Sequence, residues 1–264
     1  MKGLLVYSKE DVKKNAEYIS WFISAGKKKN IILDLKSTDE IRINGINSLK
    51  SLDFVINRSR SYEVSLLFEL NDIRVFNNSK VTLLGNNKLS AYAYAKKKNY
   101  KFPKILLNTL ESDQVISKPN DGHGGKDIHL VTASSPATGE NTIQQEFMSD
   151  ILGDIRFYII NNEIIKAVIR SSKEKILSNF SQGGDFEVYH YSKEEENYIK
   201  KFMKDIIFDY VGLDFFLTQE KELIFNEIED VVGSRMLSHL GINNTTELYL
   251  DHIDKTINNK KNTK

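Results

Sequence analysis

The 264-residue sequence contains no cysteine, only three prolines and a single tryptophan. The absence of cysteine excludes disulfide bonds, catalysis by a thiol and metal sites built on thiolates. Neither sign of charge dominates, because 37 Lys and Arg residues face 36 Asp and Glu residues, and this balance gives no argument for nucleic acid or an anionic membrane as a partner. No apolar stretch has the length of a membrane span, and the apolar opening of the chain is too short for a secretory signal. We therefore expect a cytoplasmic protein that binds neither nucleic acid nor membranes.

Strands and helices alternate over the first third of the sequence. Apolar runs indicate buried strands at 4–7, 31–35 and 53–57. Helical spacing of apolar residues follows the first and third of these runs, and Ser8 is placed to cap the first helix, which is expected to end near Gly26. Short strand segments around Val75 and at 81–84 are expected to complete the alternation. The pattern predicts a small α/β unit with a parallel sheet.

The pattern of secondary structure changes after a predicted helix at 87–98. Short strands then follow at close spacing, which predicts an antiparallel sheet, at 105–107, 114–117, 128–131 and 142–147. A strand–turn–strand unit places Asn161 and Asn162 at turn positions that require positive φ. The remaining expectations are an amphipathic helix at 197–210, strands at 213–217 and 222–228, a final helix, and a disordered polar tail at 258–264.

A glycine-rich turn directly follows an apolar run near the middle of the chain. Gly122, Gly124 and Gly125 permit backbone angles that a Cβ forbids, and successive N–H groups in such a turn form a concave site for phosphate oxygens. Lys118 and Lys126 flank the turn with positive charge. The segment predicts a site for a nucleoside triphosphate, with a simple hairpin turn and two solvated lysines as the alternative.

Acidic residues lie on two neighbouring predicted strands near the C-terminus. Glu227 and Glu229 are two apart and therefore share one face of a strand, with Asp214 on the preceding strand. Carboxylates packed this closely repel each other unless they share a proton or a cation, and Mg²⁺ that bridges phosphates prefers such oxygen ligands. We therefore expect a three-carboxylate cluster that binds a metal. Ion pairs with nearby basic residues are the alternative, and Asp230 competes with Glu229 for the role.

Three further segments stand in order between these two features. Residues 144–148 end a strand whose backbone is available to pair with a base, Asp154 and Arg156 open a hairpin that ends at Arg170, and a second glycine-bearing loop spans 177–184. Five blocks in this order resemble the ATP-grasp superfamily and, within it, the carboxylate–amine ligases similar to the ribosomal-protein glutamate ligase. The resemblance covers nearly the whole chain.

The resemblance implies a fold and an activity. The fold is an α/β N-terminal domain at 1–85, then a two-lobed α+β ATP-grasp domain at 86–257 (a nucleotide lobe at about 86–147 and a metal and catalytic lobe at about 148–257), and a polar tail at 258–264. The activity is that of an ADP-forming ligase, in which the γ-phosphate of ATP passes to a carboxylate and an amine then displaces the phosphate to form an amide. The partners implied are a small-molecule, peptide or carrier-bound carboxylate, an amine, and a second copy of the chain.

Roles of individual residues follow from the same resemblance. Lys118 resembles the lysine that grips ATP phosphates under a mobile glycine loop, and Glu146 with Phe147 resembles the hinge that reads adenine through backbone groups. Arg156 and Arg170 fall where the family holds a substrate carboxylate or an acyl phosphate, and are the catalytic candidates. The implied nucleotide contacts are Lys88, Lys118, Gly122, Gly124, Gly125, Glu146, Phe147, Asp154, Ser178 and Asn179, and the implied ligands of Mg²⁺, or of Mn²⁺ in its place, are Asp214, Glu227 and Glu229.

Two positions depart from the family pattern. Glu229 stands where the family has asparagine, which keeps an oxygen ligand but adds negative charge, and Leu177 stands where an arginine is usual. Arg58, after the third strand, is a further candidate for substrate contact, while His123 is expected to contact phosphate or to be exposed. The alternatives to an amide-forming ligase are an ATP-grasp ligase with a thiol or carrier-protein acceptor, an ATP-grasp kinase, and a nucleotide-binding module without catalysis.

Overall fold

The computed structural model describes residues 1–44, 51–106, 114–132, 141–171 and 185–262. Over these residues the chain forms one parallel sheet, followed along the sequence by two antiparallel sheets. The predicted fold class, an α/β unit followed by an α+β part, is confirmed. No helix in the described ranges combines the length and the apolar character needed to span a bilayer.

The parallel sheet consists of the first four strands, β1 (Lys2–Tyr7), β2 (Ile32–Ser37), β3 (Phe54–Asn57) and β4 (Arg74–Phe76). Their order is β2-β1-β3-β4, and every neighbouring pair is parallel. Both inner strands are almost fully buried, as expected for a sheet covered on both faces. The accompanying helices are α1 (Lys9–Lys14), α2 (Ala16–Lys28), α3 (Thr38–Asn44), α4 (Tyr62–Glu69), α5 (Ser79–Asn86) and α6 (Lys88–Lys97).

Side-chain caps determine where the first helices begin. Ser8 accepts a hydrogen bond from the backbone N–H of Asp11, so the predicted cap is confirmed. The single helix expected after Ser8 is in fact two, because the chain leaves helical geometry at Asn15, and the second one ends at Lys28 rather than near Gly26.

The strand expected at 81–84 is wrong, because these residues lie in α5. The side chain of Asn78 accepts a hydrogen bond from the Val81 N–H and starts the helix there. Val81, Thr82 and Leu84 are buried on its inner face. A short apolar run fits a helix face as well as a strand, and here the cap decides between them.

The second sheet is formed by β5 (Ile105–Leu106), β6 (Gln114–Pro119), β7 (His129–Thr132) and β8 (Thr142–Glu146). Its order is β5-β8-β6-β7, and all of its pairs are antiparallel, as predicted.

The third sheet is formed by β9 (Ile151–Ile160), β10 (Glu163–Ser171), β11 (Asp185–Val188), β12 (Tyr210–Thr218) and β13 (Leu223–Glu229). Its order is β11-β10-β9-β12-β13, again with antiparallel pairs. Asn161 and Asn162 join β9 to β10 with φ values of 52° and 60°, which confirms the predicted turn.

The C-terminal helices differ from the expectation at their ends. They are α7 (Lys193–Met203), α8 (Arg235–His239) and α9 (Thr245–Asn262). The helix predicted at 197–210 begins earlier, at a capping box of Ser192 and Glu195, and ends earlier, because Tyr210 already pairs with β9 in the sheet. The short helix α8 was not predicted. The tail expected to be disordered from 258 is helical as far as Asn262.

Asn77 ties the parallel sheet to the five-stranded sheet. Its buried side chain donates to the Tyr210 carbonyl at 2.9 Å and to the Asp230 carboxylate at 2.7 Å. Its side-chain oxygen accepts from the N–H groups of Asp209 and Tyr210 at 2.9 and 3.0 Å. Both amide atoms are therefore used, and each partner loses its hydrogen bond if the side chain is removed.

We predict that Asn77→Ala lowers the free energy of unfolding by about 3 kcal/mol, because buried N–H groups and a buried carboxylate lose their partner. Urea denaturation followed by circular dichroism measures the change. Asn71→Ala is the matched control, since this exposed asparagine only donates to the Leu67 carbonyl, and it is expected to cost less than about 1 kcal/mol. Equal losses in the two variants would contradict the assigned role of Asn77.

Candidate functional site

A cavity opens between the two antiparallel sheets, under the turn that follows β6. One wall comes from β6 and β8, the opposite wall from β9, β12 and β13, and the roof from the glycine-rich turn. The residues that line it are Lys88, Ile116, Lys118, Pro119, Gly122, Gly124, Gly125, Lys126, Ile128, Gln145, Asp154, Phe216, Asn226 and Glu227.

Lys118 is a buried cation on the wall of this cavity, with 4% of its surface exposed. Its Nζ donates to the Tyr92 hydroxyl at 3.0 Å, and that hydroxyl donates to Gln145 at 3.0 Å. Among the described residues it forms no ion pair within 4 Å. Burial lowers the pKa of Lys118 to about 8, although the charges of Glu227 and Asp154 act in the opposite direction. A buried ammonium group in this state is stabilised when an anion joins it.

The glycine-rich turn is held at its base and near its middle by α6. Asn120 accepts from the N–H of Leu89 at 2.9 Å, and the Lys88 Nζ donates to the Gly122 carbonyl at 2.5 Å. Gly124 and Gly125 have φ values of 68° and 74°, which a side chain would strain. The turn is thus built from positions that need glycine, and two lysines face the space beneath it.

His123 lies half-buried in the same turn. Burial and, to a smaller extent, the charges of Arg60 and Lys88 together lower its pKa to about 4. The side chain is therefore neutral at pH 7 and adds no positive charge to the site.

Asp214 is fully buried between two arginines. Arg156 binds it through two hydrogen bonds, of 2.8 and 2.7 Å, and Arg170 donates to it at 2.7 Å. Arg156 also pairs with Glu229, and Arg170 with Asp154. Burial opposes ionisation of Asp214, but the two arginines outweigh it and hold its pKa below its usual range.

This arrangement differs from the expected three-carboxylate cluster. The predicted register is correct, since Asp214 lies opposite Glu227 and two residue pairs from Glu229. The strand on the other side of β12, however, brings Arg156 opposite Asp214, and its guanidinium neutralises the acids. In the described part of the chain, no three Asp, Glu or His side chains are grouped to hold a metal ion.

Glu227 is the acid whose surroundings fit a metal best. Its side chain is 31% exposed, it lines the cavity, and its nearest cation is Lys88 at 3.9 Å. Mg²⁺ commonly binds through one or two carboxylates together with phosphate oxygens, so Glu227 is sufficient to hold it beside a nucleotide. Asp214 and Glu229 would have to give up arginine contacts to join it.

A β-bulge explains why two consecutive residues of β13 face the cavity. Asp214 pairs with Glu227 whereas Phe215 pairs with Phe225, so Asn226 is the extra residue. A bulge reorients a side chain, and both Asn226 and Glu227 line the cavity as a result. Sequence reasoning gave no role to Asn226 or Gln145, because strand alternation alone does not reveal a bulge and the segment around Gln145 was assigned to its neighbours.

The other predicted site residues divide into three groups. Asp154 lines the cavity; Arg156, Arg170, Asp214 and Glu229 adjoin it on the same sheet. Glu146 instead bonds the backbone of Lys104, and neither it nor Phe147 is among the lining residues. Ser178, Asn179 and Leu177 lie outside the described residues.

Asp230 does not compete with Glu229 for a metal. Its carboxylate accepts hydrogen bonds from Asn77 and Asn86, at 2.7 and 3.1 Å, behind the cavity wall. Burial raises its pKa to about 6, which the two asparagines partly offset.

Comparisons with known proteins agree with this geometry. The sequence model of the RimK-like ATP-grasp domain family matches residues 77–252, which are two thirds of the chain. A relative in Mycoplasma genitalium, "Uncharacterized protein MG011", is 31% identical over 252 residues, covering 90% of this chain and 87% of the relative. Among solved structures, the D-cycloserine synthetase DcsG superposes with a TM-score of 0.74 at 11% identity, over 97% of this chain and all of that one. D-alanine–D-alanine ligase from Bacillus anthracis, complexed with ATP, superposes with a TM-score of 0.73 at 13% identity, over 100% of this chain and 99% of that one.

We predict that Asp214→Asn lowers the free energy of unfolding by about 3–5 kcal/mol, because two buried guanidinium groups lose the charge between them. Guanidinium chloride denaturation at pH 7 measures the loss. Glu222→Gln breaks the exposed pair with Lys101 and serves as the control, with an expected change below about 1 kcal/mol. A loss of similar size in both variants would show that the buried pairs contribute no more than a surface pair.

Proposed function

The chain belongs to the RimK-like ATP-grasp family, and from this premise we propose that it is an ATP-dependent ligase that joins a carboxylate to an amine. The observation that carries the proposal is Lys118, a buried cation on the wall of a cavity roofed by a glycine-rich turn, with no acidic partner among the described residues. We further propose the division of the chain into a domain at 1–85, an ATP-grasp domain at 86–257 with lobes meeting near 147, and a tail.

The triphosphate of ATP would lie under the glycine-rich turn. Lys118 and Lys88 supply positive charge from two sides, and the N–H groups of Gly124 and Gly125 are available to phosphate oxygens. The turn covers these groups, and closure over the nucleotide would exclude water and protect a reactive intermediate from hydrolysis. Ile116 of β6 and Gln145 of β8 are paired across the two strands and both line the cavity, and we place the adenosine against them.

Glu227 would hold Mg²⁺, with Asp214 and Glu229 as the further ligands that the family pattern implies. When bound, the metal would neutralise charge on the phosphate oxygens. Asn226, brought to the cavity by the bulge, offers a neutral oxygen beside Glu227.

Arg170 and Arg156 are the proposed contacts of the reacting carboxylate. The buried Nε of Arg170 and one oxygen of Asp154 have no hydrogen-bond partner among the described residues, so one donor and one acceptor are left for a substrate. In the proposed reaction a substrate carboxylate oxygen attacks the γ-phosphorus and ADP leaves. The amine then attacks the acyl carbon, phosphate leaves, and the amine loses a proton. The arginines would stabilise the negative charge that both steps develop.

We predict that Lys118→Ala and Glu227→Gln each reduce ADP release by at least about 100-fold, because the first removes a positive charge beside the phosphates and the second removes the carboxylate that would hold Mg²⁺. The assay measures ADP with the twenty amino acids and a set of dipeptides as acid and amine, and mass spectrometry identifies the product. Lys101→Ala, an exposed lysine of the same charge, is the control and should retain wild-type turnover.

Three outcomes of this screen would overturn the proposal. Full turnover by either site variant would remove Lys118 or Glu227 from the reaction. Tight binding of ATP with no ADP formed from any pair would favour a nucleotide-binding module, and a thioester in place of an amide would favour the thiol-acceptor ligase.

We predict that affinity for ATP falls above pH 8. Burial lowers the pKa of Lys118 to about 8 in the free protein, so the side chain is charged below this pH and loses its proton as the pH rises. The dissociation constant should rise by about tenfold between pH 8 and 9.5, since each pKa unit corresponds to a factor of ten. Titration calorimetry measures it, and Lys118→Met should give weaker binding without the step. A flat wild-type profile over this range would contradict the assignment.

A further inference from the structure

A second polar site lies at the carboxyl ends of the two central strands of the parallel sheet. β1 ends at Tyr7, and Arg58 directly follows β3, with its N–H donating to the Val6 carbonyl at 2.8 Å. In the order β2-β1-β3-β4 the chain first moves to one side of β1 and then to the other, so strand order reverses between β1 and β3. Open parallel sheets bind ligands in the crevice outside the carboxyl ends at such a point.

Arg58 is a buried cation without an ion-pair partner in the described part of the chain. It is 6% exposed, donates to the Val232 carbonyl at 3.0 Å, and lies 5.8 and 5.2 Å from the ring centres of Tyr7 and Tyr18. Its buried Nε has no hydrogen-bond partner there. The charge of Arg58 acts to lower the pKa of Asp230, but that carboxylate is already hydrogen-bonded to two asparagines. Buried guanidinium groups are normally paired with an anion, so a partner is missing.

Buried tyrosine hydroxyls near Arg58 also lack a hydrogen-bond partner among the described residues. The hydroxyl of Tyr210 interacts electrostatically with Arg58, Tyr18 and Tyr158. Buried hydroxyls are almost always hydrogen-bonded in folded proteins, and each of these is able to donate to an anion. The hydroxyls that are buried without a partner among the described residues here are those of Tyr18, Tyr158 and Tyr210, while the hydroxyl of Tyr7 interacts with Arg58.

This site and the catalytic arginines share one face of the five-stranded sheet. Arg156 and Tyr158 are two apart on β9, and lie opposite Asp214 and Gly212 of β12. A Cβ at Gly212 would lie 3.1 Å from the Arg156 Cδ, so the absence of a side chain there lets Arg156 lie across this face. At about 3.4 Å per residue, Tyr158 is about 7 Å from Arg156 along its strand, and Tyr210 is about 14 Å from Asp214.

We propose that Arg58 and the surrounding tyrosine hydroxyls bind a free carboxylate of an amino-acid or short-peptide substrate, namely a carboxylate other than the one that is phosphorylated. The inference rests on the proposed ligase function and names the substrate class for it. The cavity for ATP lies at the Asp154 end of the shared face, so a substrate anchored at Arg58 reaches the arginines from the opposite end. A span of about 7–14 Å corresponds to two to four extended residues at about 3.5 Å each.

The test compares carboxylates with their amides. Thermal melting of the full chain is recorded with ATP and with L-alanine, D-alanine, L-glutamate, glycylglycine and triglycine, and with the C-terminal amide of each. Wild type should show a rise in Tm with at least one carboxylate and not with its amide. In Arg58→Met the dissociation constant of that ligand should rise by about tenfold or more, because a charge-assisted pair is lost. N-acetyl derivatives tell whether the carboxylate belongs to the amine substrate.

Tyr210→Phe separates a binding role from a structural one. Removing an unpartnered buried hydroxyl should leave the unliganded Tm unchanged or higher, while the carboxylate-dependent rise becomes smaller. Tyr100→Phe is the matched control, since its hydroxyl donates to the Tyr198 carbonyl at 2.6 Å; it should lower the unliganded Tm and leave the ligand effect intact.

The outcomes distinguish this proposal from the proposed function. No carboxylate-dependent rise in wild type, or an equal rise in Arg58→Met, overturns the carboxylate site; if ATP still raises Tm in wild type but not in Lys118→Met, the ligase proposal survives. If ATP does not raise the Tm of the wild type, the ligase proposal itself is overturned.

Discussion

The fully buried carboxylate of Asp214 is the charge on which the site depends. Two guanidinium groups cannot lie side by side in a low-dielectric interior without a negative charge between them. Asp214 supplies it from β12, which holds Arg156 of β9 and Arg170 of β10 in fixed positions. Through these arginines the network reaches Glu229 on β13 and Asp154 at the cavity. One acid therefore links charged groups on four strands electrostatically.

The same face is where two units of different architecture pack together. The core of the parallel sheet is continuous with side chains of the five-stranded sheet, among them Tyr158 and Tyr210. Asn77 adds hydrogen bonds to that contact, and Arg58 adds a guanidinium that reaches across it. The carboxyl ends of the parallel strands thus open onto the sheet that carries Arg156 and Arg170, while the cavity proposed for the nucleotide lies at the other end of that sheet.

Local signals in the sequence were sufficient for much of the fold. The Ser8 cap, the asparagine turn at 161–162 and the alternation of strands and helices are set by neighbouring residues, and all were predictable. The end of α7 was not, because Tyr210 pairs with a strand fifty residues earlier in the chain. For the site, strand spacing placed Asp214 opposite Glu227. It gave no account of Arg156 beside them or of the bulge at Asn226, since both depend on which strands pair and in what register.

The hydrogen bond from Lys88 to the Gly122 carbonyl links a helix terminus to the middle of the glycine-rich turn. An ammonium group has three N–H donors, so Lys88 can keep this carbonyl and still donate to an anion. An anion that binds there also restrains the turn, and the loss of backbone entropy in ordering it is offset by the side chain that neutralises the ligand. Charge recognition and ordering of the turn are then coupled through one side chain, so an uncharged ligand of the same shape would not restrain the turn through Lys88.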